Sequence, residues 1–318
     1  MRPPPAGGER GALRIRAVAE VGLAFAAMHV AFRAFKRFTA WGRWETGAGM
    51  NFSPGLAMIA VALLAIALRP RRSPGERAPA LRGRLAEHGL TLRPLGGSLD
   101  AALVALLVLG TLGAVLTAAG VPVREARDRW PAALAVALAG LAGTWLLLWL
   151  LRRLDPATAA RAVHPARLLG LAALLALPAA PILLAWWQGR PVGRELLTIL
   201  WVVVGAGIGE EVFFRGYVQS RLNGAFGRPW RLQGVAFGPG LLIASALFGL
   251  VHVLNPADYF AGVARFGWPH GLATCAALYY GFLRERTGSV LAPAVVHACI
   301  DLGGRLPQLL GGAAGGMQ

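Results

Sequence analysis

Within the apolar stretch ILWVVVGAGIGEEVFFRGY, 199 to 217, three ionisable residues stand among aliphatic and aromatic ones: Glu210, Glu211 and Arg215. On a helix Glu211 and Arg215 lie four apart with the acid first, the favourable order for a side-chain pair, while Glu210 is turned about 100° away. One carboxylate is thereby paired and one is left over. An ionised group at mid-bilayer costs roughly 2.5–3.5 kcal/mol on insertion scales, so a leftover carboxylate there calls for a chemical use. A carboxylate with no cation beside it is the one free to take a proton, which is the work of a general base.

Two further polar pairs follow. FGLVH puts Phe248 and His252 on one helical face, and HACID does the same for His297 and Asp301. Taken singly, each histidine reads as a hydrogen-bonding contact between membrane helices, whereas Glu210, Glu211 and Arg215, which could also form a packing network or face a wet crevice, read as functional because ionisable groups inside a membrane usually are. Depth argues for a shared site. Counted at ~1.5 Å per residue from one membrane face, Glu210, His252, His297 and Asp301 fall about 15, 20, 12 and 18 Å in, within one layer.

The elements that must carry these groups are membrane helices. The 318-residue chain is 56% hydrophobic with a mean hydropathy of +0.55, above the range of soluble domains. Runs such as AALVALLVLGTLGAVLTAAG (101 to 120) and PAALAVALAGLAGTWLLLWLL (131 to 151) carry no charge and are long enough to cross a bilayer. Apolar runs fall at 17 to 34, 54 to 68, 99 to 121, 131 to 151, 166 to 187, 195 to 220, 239 to 255, 270 to 283 and 289 to 303. The expected fold is all-α, a polytopic transmembrane bundle of about eight or nine spans. Its polar core is expected at 191 to 306, after N-terminal helices at 1 to 190 that carry no assignable motif, with a flexible tail at 307 to 318. The segment 69 to 98 is expected to be an extramembrane loop, and no internal repeat is visible.

Net charge is +17, with 32 basic against 15 acidic residues. The arginines concentrate in connections such as RPRRSPGERAPALRGR (69 to 84) and REARDRW (124 to 130), where anionic lipid headgroups are the natural partners. Membrane lipids are therefore the expected partner and nucleic acid is not. Arginine is denser in the connections that share a side with the N-terminus, which predicts an integral membrane protein, of a bacterial inner membrane, with its N-terminus in the cytoplasm. The basic first segment lacks a small-residue cleavage site, so the first apolar run is expected to be retained. Cys275 and Cys299 sit in apolar runs and read as packing residues.

EEVFFR, FGLVH and HACID, in this order, resemble the E-E-x-x-x-R, F-x-x-x-H and H-x-x-x-[N/D] motifs of the CPBP intramembrane proteases. That group, also called the Abi family, includes CAAX prenyl endopeptidases and bacteriocin-processing proteins. The resemblance spans roughly 195 to 305. It implies an endopeptidase acting on a membrane-embedded, in some branches prenylated, peptide. Glu210 is then the base that activates water, His252 holds that water, and His297 with Asp301 lies near the tetrahedral oxyanion. Glu211 and Arg215 become supporting architecture.

Asp301 departs from the common Asn, whose amide could donate to an oxyanion; either a protonated Asp301 donates instead, or it orients His297. Members are labelled metalloproteases in some accounts and glutamate-dependent hydrolases in others. For a divalent metal such as zinc the candidate ligands are Glu210, His252 and His297. H-E-x-x-H is absent, and the expectation is hydrolysis without an obligatory metal. A proton-coupled transporter would also bury such groups, but the inverted repeats that would support it are not seen. A non-catalytic scaffold of the same fold is argued against by intact polar residues in all three motifs.

Overall fold

The computed structural model describes residues 7–68, 80–153 and 165–310. Helices dominate: α1 (Gly7–Phe38), α2 (Ala40–Gly47), α3 (Phe52–Ala67), α4 (Leu81–Glu87), α5 (Leu95–Ala118), α6 (Trp130–Arg153), α7 (Pro165–Trp187) and α8 (Gly193–Phe226), then α9 (Pro239–Leu254), α10 (Trp268–Cys275), α11 (Leu278–Thr287) and α12 (Leu291–Leu310). A short 3-10 turn, Val123–Arg127, precedes α6. The strands β1 (Trp230–Leu232) and β2 (Val235–Phe237) form an antiparallel hairpin, Arg231 opposite Ala236, between α8 and α9.

Five helices, α1, α5, α6, α7 and α8, are long and apolar enough to cross a bilayer by length and composition, and α3 and α9 are shorter apolar helices. The expected all-α membrane architecture is what forms. Outward faces carry leucines such as Leu107, Leu169 and Leu175, each at least 70% exposed, as a surface bathed in lipid rather than water requires. Inside, Met28, Met58, Leu147, Phe213, Phe214, Phe248 and Tyr280 belong to one contiguous core.

The central element is α8. Its middle is π-helical over Val202–Glu210 and Val212–Gln219, a wider, underwound path that is uncommon and concentrates at functional sites. Glycines let neighbouring backbones close on it. A methyl group on Gly55 of α3 would overlap the Gly205 backbone, and one on Gly209 would lie 2.7 Å from the Gly55 Cα. On another side, a methyl group on Gly207 would lie 2.8 Å from Ala298 Cβ of α12. These small-residue contacts are how membrane helices approach closely, and they seat Glu210 and Glu211 between α3 and α12.

One expected span is corrected. Residues 270 to 283 do not form one helix: α10 ends at Cys275 and α11 starts at Leu278. At Ala277 ψ is 53°, outside the helical range, and the Leu278 N–H turns back to the Ala276 carbonyl at 2.8 Å. The alanines have high helix propensity, so tertiary packing prevails. Gly249 of α9 and Gly271 of α10 bring those two backbones into contact, while α11 leans on α6 and α12. Residues 307 to 310 of the expected tail continue α12, whereas 311–318 lie outside the described residues, as does the 69–79 part of the expected loop.

Candidate active site

Arg215 and Glu211 are both fully buried, with 0% side-chain exposure. Arg215 Nη1 donates to Glu211 Oε1 at 2.9 Å, the pair anticipated from their spacing. The same oxygen accepts a hydrogen bond from His297 Nδ1, also at 2.9 Å, across to α12. A carboxylate on Nδ1 assigns that ring its tautomer, with the proton on Nδ1 and Nε2 facing the other way. Nε2 faces Glu210 Oε2 at 3.7 Å, too long for a hydrogen bond and close enough for ion-pair contact. Glu210 is the less enclosed acid, at 17% side-chain exposure, and its Oε2 has no hydrogen-bond partner among the described residues.

Aromatic rings wall this centre. Phe248 meets the His297 ring edge-on at 5.7 Å between centroids, and Tyr280 stacks on it at 4.9 Å and 27°. The Arg215 guanidinium lies 4.4 Å from the Phe248 centroid and 4.9 Å from that of Tyr280. A buried cation is held by one carboxylate and two π faces, a combination suited to an environment without water.

His252, on α9, reaches the same surroundings through Phe248, whose ring centroid is 4.8 Å from its own. Its Nδ1 hydrogen-bonds the Phe248 carbonyl at 2.8 Å, so in the neutral ring Nε2 is an acceptor. On its far side His270, at the start of α10, packs edge-on at 4.6 Å. Asp301 stands one turn beyond His297 on α12 and makes no hydrogen bond or ion pair among the described residues. The carboxylate that orients His297 is therefore that of Glu211, not of Asp301.

Four of the six anticipated residues, Glu210, Glu211, Arg215 and His297, are thus linked by direct contacts; His252 is joined to them by Phe248, and Asp301 lies one turn from His297 on the same helix without a hydrogen bond or ion pair among the described residues. Tyr280 and His270 are the additions that sequence reasoning did not single out. Neither belongs to the three motifs that drew attention in the sequence, and Tyr280 lies two residues past the start of α11, just after the break.

All of these residues lie in the stretch that a family model covers. Residues 192–303 match the Rce1-like family. The model is described as type II CAAX prenyl endopeptidase Rce1-like, which accords with the resemblance to the CPBP and CAAX proteases and covers less than half of the chain. No curated protein and no solved structure matches the chain. The Rce1-like segment begins just before α8 and ends within α12, so α1 to α7 are outside it although α1 and α3 pack directly against its helices.

Among the described residues no three His, Cys, Asp or Glu side chains converge as metal ligands. His297 gives Nδ1–H to Glu211 and His252 gives Nδ1–H to the Phe248 carbonyl, which leaves each Nε2 open to a ligand, but Glu210, His252 and His297 are not gathered as a three-ligand set among the described residues. Cys275 and Cys299 are both free thiols.

Proposed function

We propose that this integral membrane protein is an intramembrane endopeptidase that hydrolyses a peptide bond of a membrane-associated peptide with a water activated by Glu210. The observation that carries the reading is the contact set Glu210, His297, Glu211 and Arg215, buried between membrane helices within the segment that matches a protease family. The description of the matching family makes a prenylated or otherwise lipid-anchored peptide the substrate class to test first.

The geometry suggests a division of labour. Glu210, whose Oε2 accepts no hydrogen bond among the described residues, takes a proton as the water O–H bond breaks and the new O–C bond forms. His252, with Nδ1–H donated to its own helix, presents Nε2 to accept a hydrogen bond from that water. The electron pair displaced onto the carbonyl oxygen needs a donor, and His297 carrying both ring protons supplies Nε2–H while Nδ1–H stays on Glu211. Arg215 donates to the same Glu211 oxygen and so fixes the carboxylate that holds His297. Collapse of the tetrahedral species breaks the C–N bond, and Glu210 returns its proton to the leaving nitrogen.

Topology belongs to the same proposal. With α10 and α11 taken as one interrupted crossing, the proposed topology has nine passes and, on the arginine distribution, a cytoplasmic N-terminus. The reading is tested by mass spectrometry of membrane peptides from cells that make the wild-type chain or Glu210→Ala. New peptide termini present with the wild type and absent with the variant are expected. Identical sets of termini would count against proteolysis.

A further inference from the structure

We propose that Tyr280 is a positioning residue of this centre, whose ring, not its hydroxyl, holds His297 and Arg215 in register. The inference extends the proteolytic reading for its kinetic test and stands apart from it for its spectroscopic one. Tyr280 is 3% exposed and belongs to the first turn of α11. Its ring stacks on His297 at 4.9 Å and 27°, and Arg215 Cζ lies 4.9 Å from the same centroid. Phe248 closes the opposite wall at 81° to Tyr280. The box is therefore two rings around two cationic or cation-capable groups.

Its necessity follows from the hydrogen-bond inventory. Arg215 gives Nη1 to Glu211, while Nε and Nη2 have no acceptor among the described residues. The negative π faces of Phe248 and Tyr280 are what compensates the rest of that buried charge. His297 has one hydrogen bond, at Nδ1, about which the imidazole could otherwise swing; a ring stacked flat on it leaves Nε2 aimed at Glu210.

Two devices deliver Tyr280 to this place. The break at Ala276 and Ala277 restarts the helix two residues before it. Five residues later Glu285 locks α11 to the end of α8, accepting from Gln219 Nε2 and Asn223 Nδ2 at 2.6 Å each on Oε1 and from Arg228 Nε at 2.6 Å on Oε2. Such a clamp fixes the rotation of α11 and with it the ring's angle over His297.

The test uses the full chain in detergent or bilayers with three replacements at one position: Tyr280→Phe, Tyr280→Leu and Tyr280→pentafluorophenylalanine. The last keeps the ring's shape and reverses its quadrupole. Cleavage of a membrane peptide should keep its KM within about twofold throughout, with kcat restored by Phe and lowered about tenfold or more by Leu and by the fluorinated ring. In parallel, with histidine isotopically labelled, the His297 ring protons should carry the upfield shift of a stacked aromatic in the wild type and the Phe variant and lose it in Leu. A fluorinated variant as fast as Phe, a Phe variant as slow as Leu, or a loss confined to KM would each overturn the proposal. So would a His297 signal unchanged in Leu. Should the Leu variant fail to fold, the Phe and fluorinated pair decides. Should the wild type cleave nothing, the proteolytic reading falls while the His297 signal still decides this one.

Discussion

Glu211 is the pivot of the centre, since one of its oxygens accepts from Arg215 on its own helix and from His297 on another. Removing its charge strands a guanidinium with no exposure to solvent, a change that costs about 3–5 kcal/mol when one partner of a buried pair is deleted. Glu211→Gln is expected to lower the unfolding midpoint markedly and to abolish hydrolysis. Adding Arg215→Met removes the stranded charge, so the double variant should regain most of the midpoint and none of the activity. A double variant no more stable than the single one would contradict the pairing. The Glu211–Arg215 bond was legible because helical spacing alone sets it. Its extension to His297 was not, for the His297 partner came from a helix 86 positions away in sequence, while the near neighbour Asp301 had the same i, i+4 spacing. Periodicity reports what shares a face of one helix and is silent on which face of another it meets.

At the scale of elements, close backbone approach is what places the glutamates. Ala at position 209 would drive its methyl group to 2.7 Å from the Gly55 Cα, and backbone has nowhere to yield. Gly209→Ala should therefore cost about 1–3 kcal/mol of overpacking and slow cleavage, despite alanine's better helix propensity. Gly110 of α5 is the matched control, with nothing within 4 Å of an added methyl group, and Gly110→Ala should be neutral or slightly stabilising. Equal effects of the two in thermal unfolding would sink the argument. The glycines of VVVGAGIG were visible in sequence, but not the helices they admit. Likewise the apolar run 270 to 283 resembles one span, because the residues at the break, Ala276 and Ala277, are good helix formers and carry no stop signal.

Across the whole molecule, the segment matching the Rce1-like family supplies every candidate catalytic group, and α1 and α3 from outside it pack against its helices. The long apolar helices were legible from composition, since a lipid-facing surface must be apolar whatever lies inside. The account predicts that exhaustive chelation, with metal content verified by elemental analysis, leaves cleavage intact, and loss restored by zinc alone would contradict it. Its central claim is that Glu210 turns a water on an amide inside the membrane. The most direct measurement is hydrolysis by the purified protein in bilayers containing a lipid-anchored peptide, run in ¹⁸O-labelled water. The wild type should place one labelled oxygen in each new carboxylate, and Glu210→Gln, equally folded and monodisperse, should produce none. Labelled product formed as fast by Glu210→Gln as by the wild type would contradict the account.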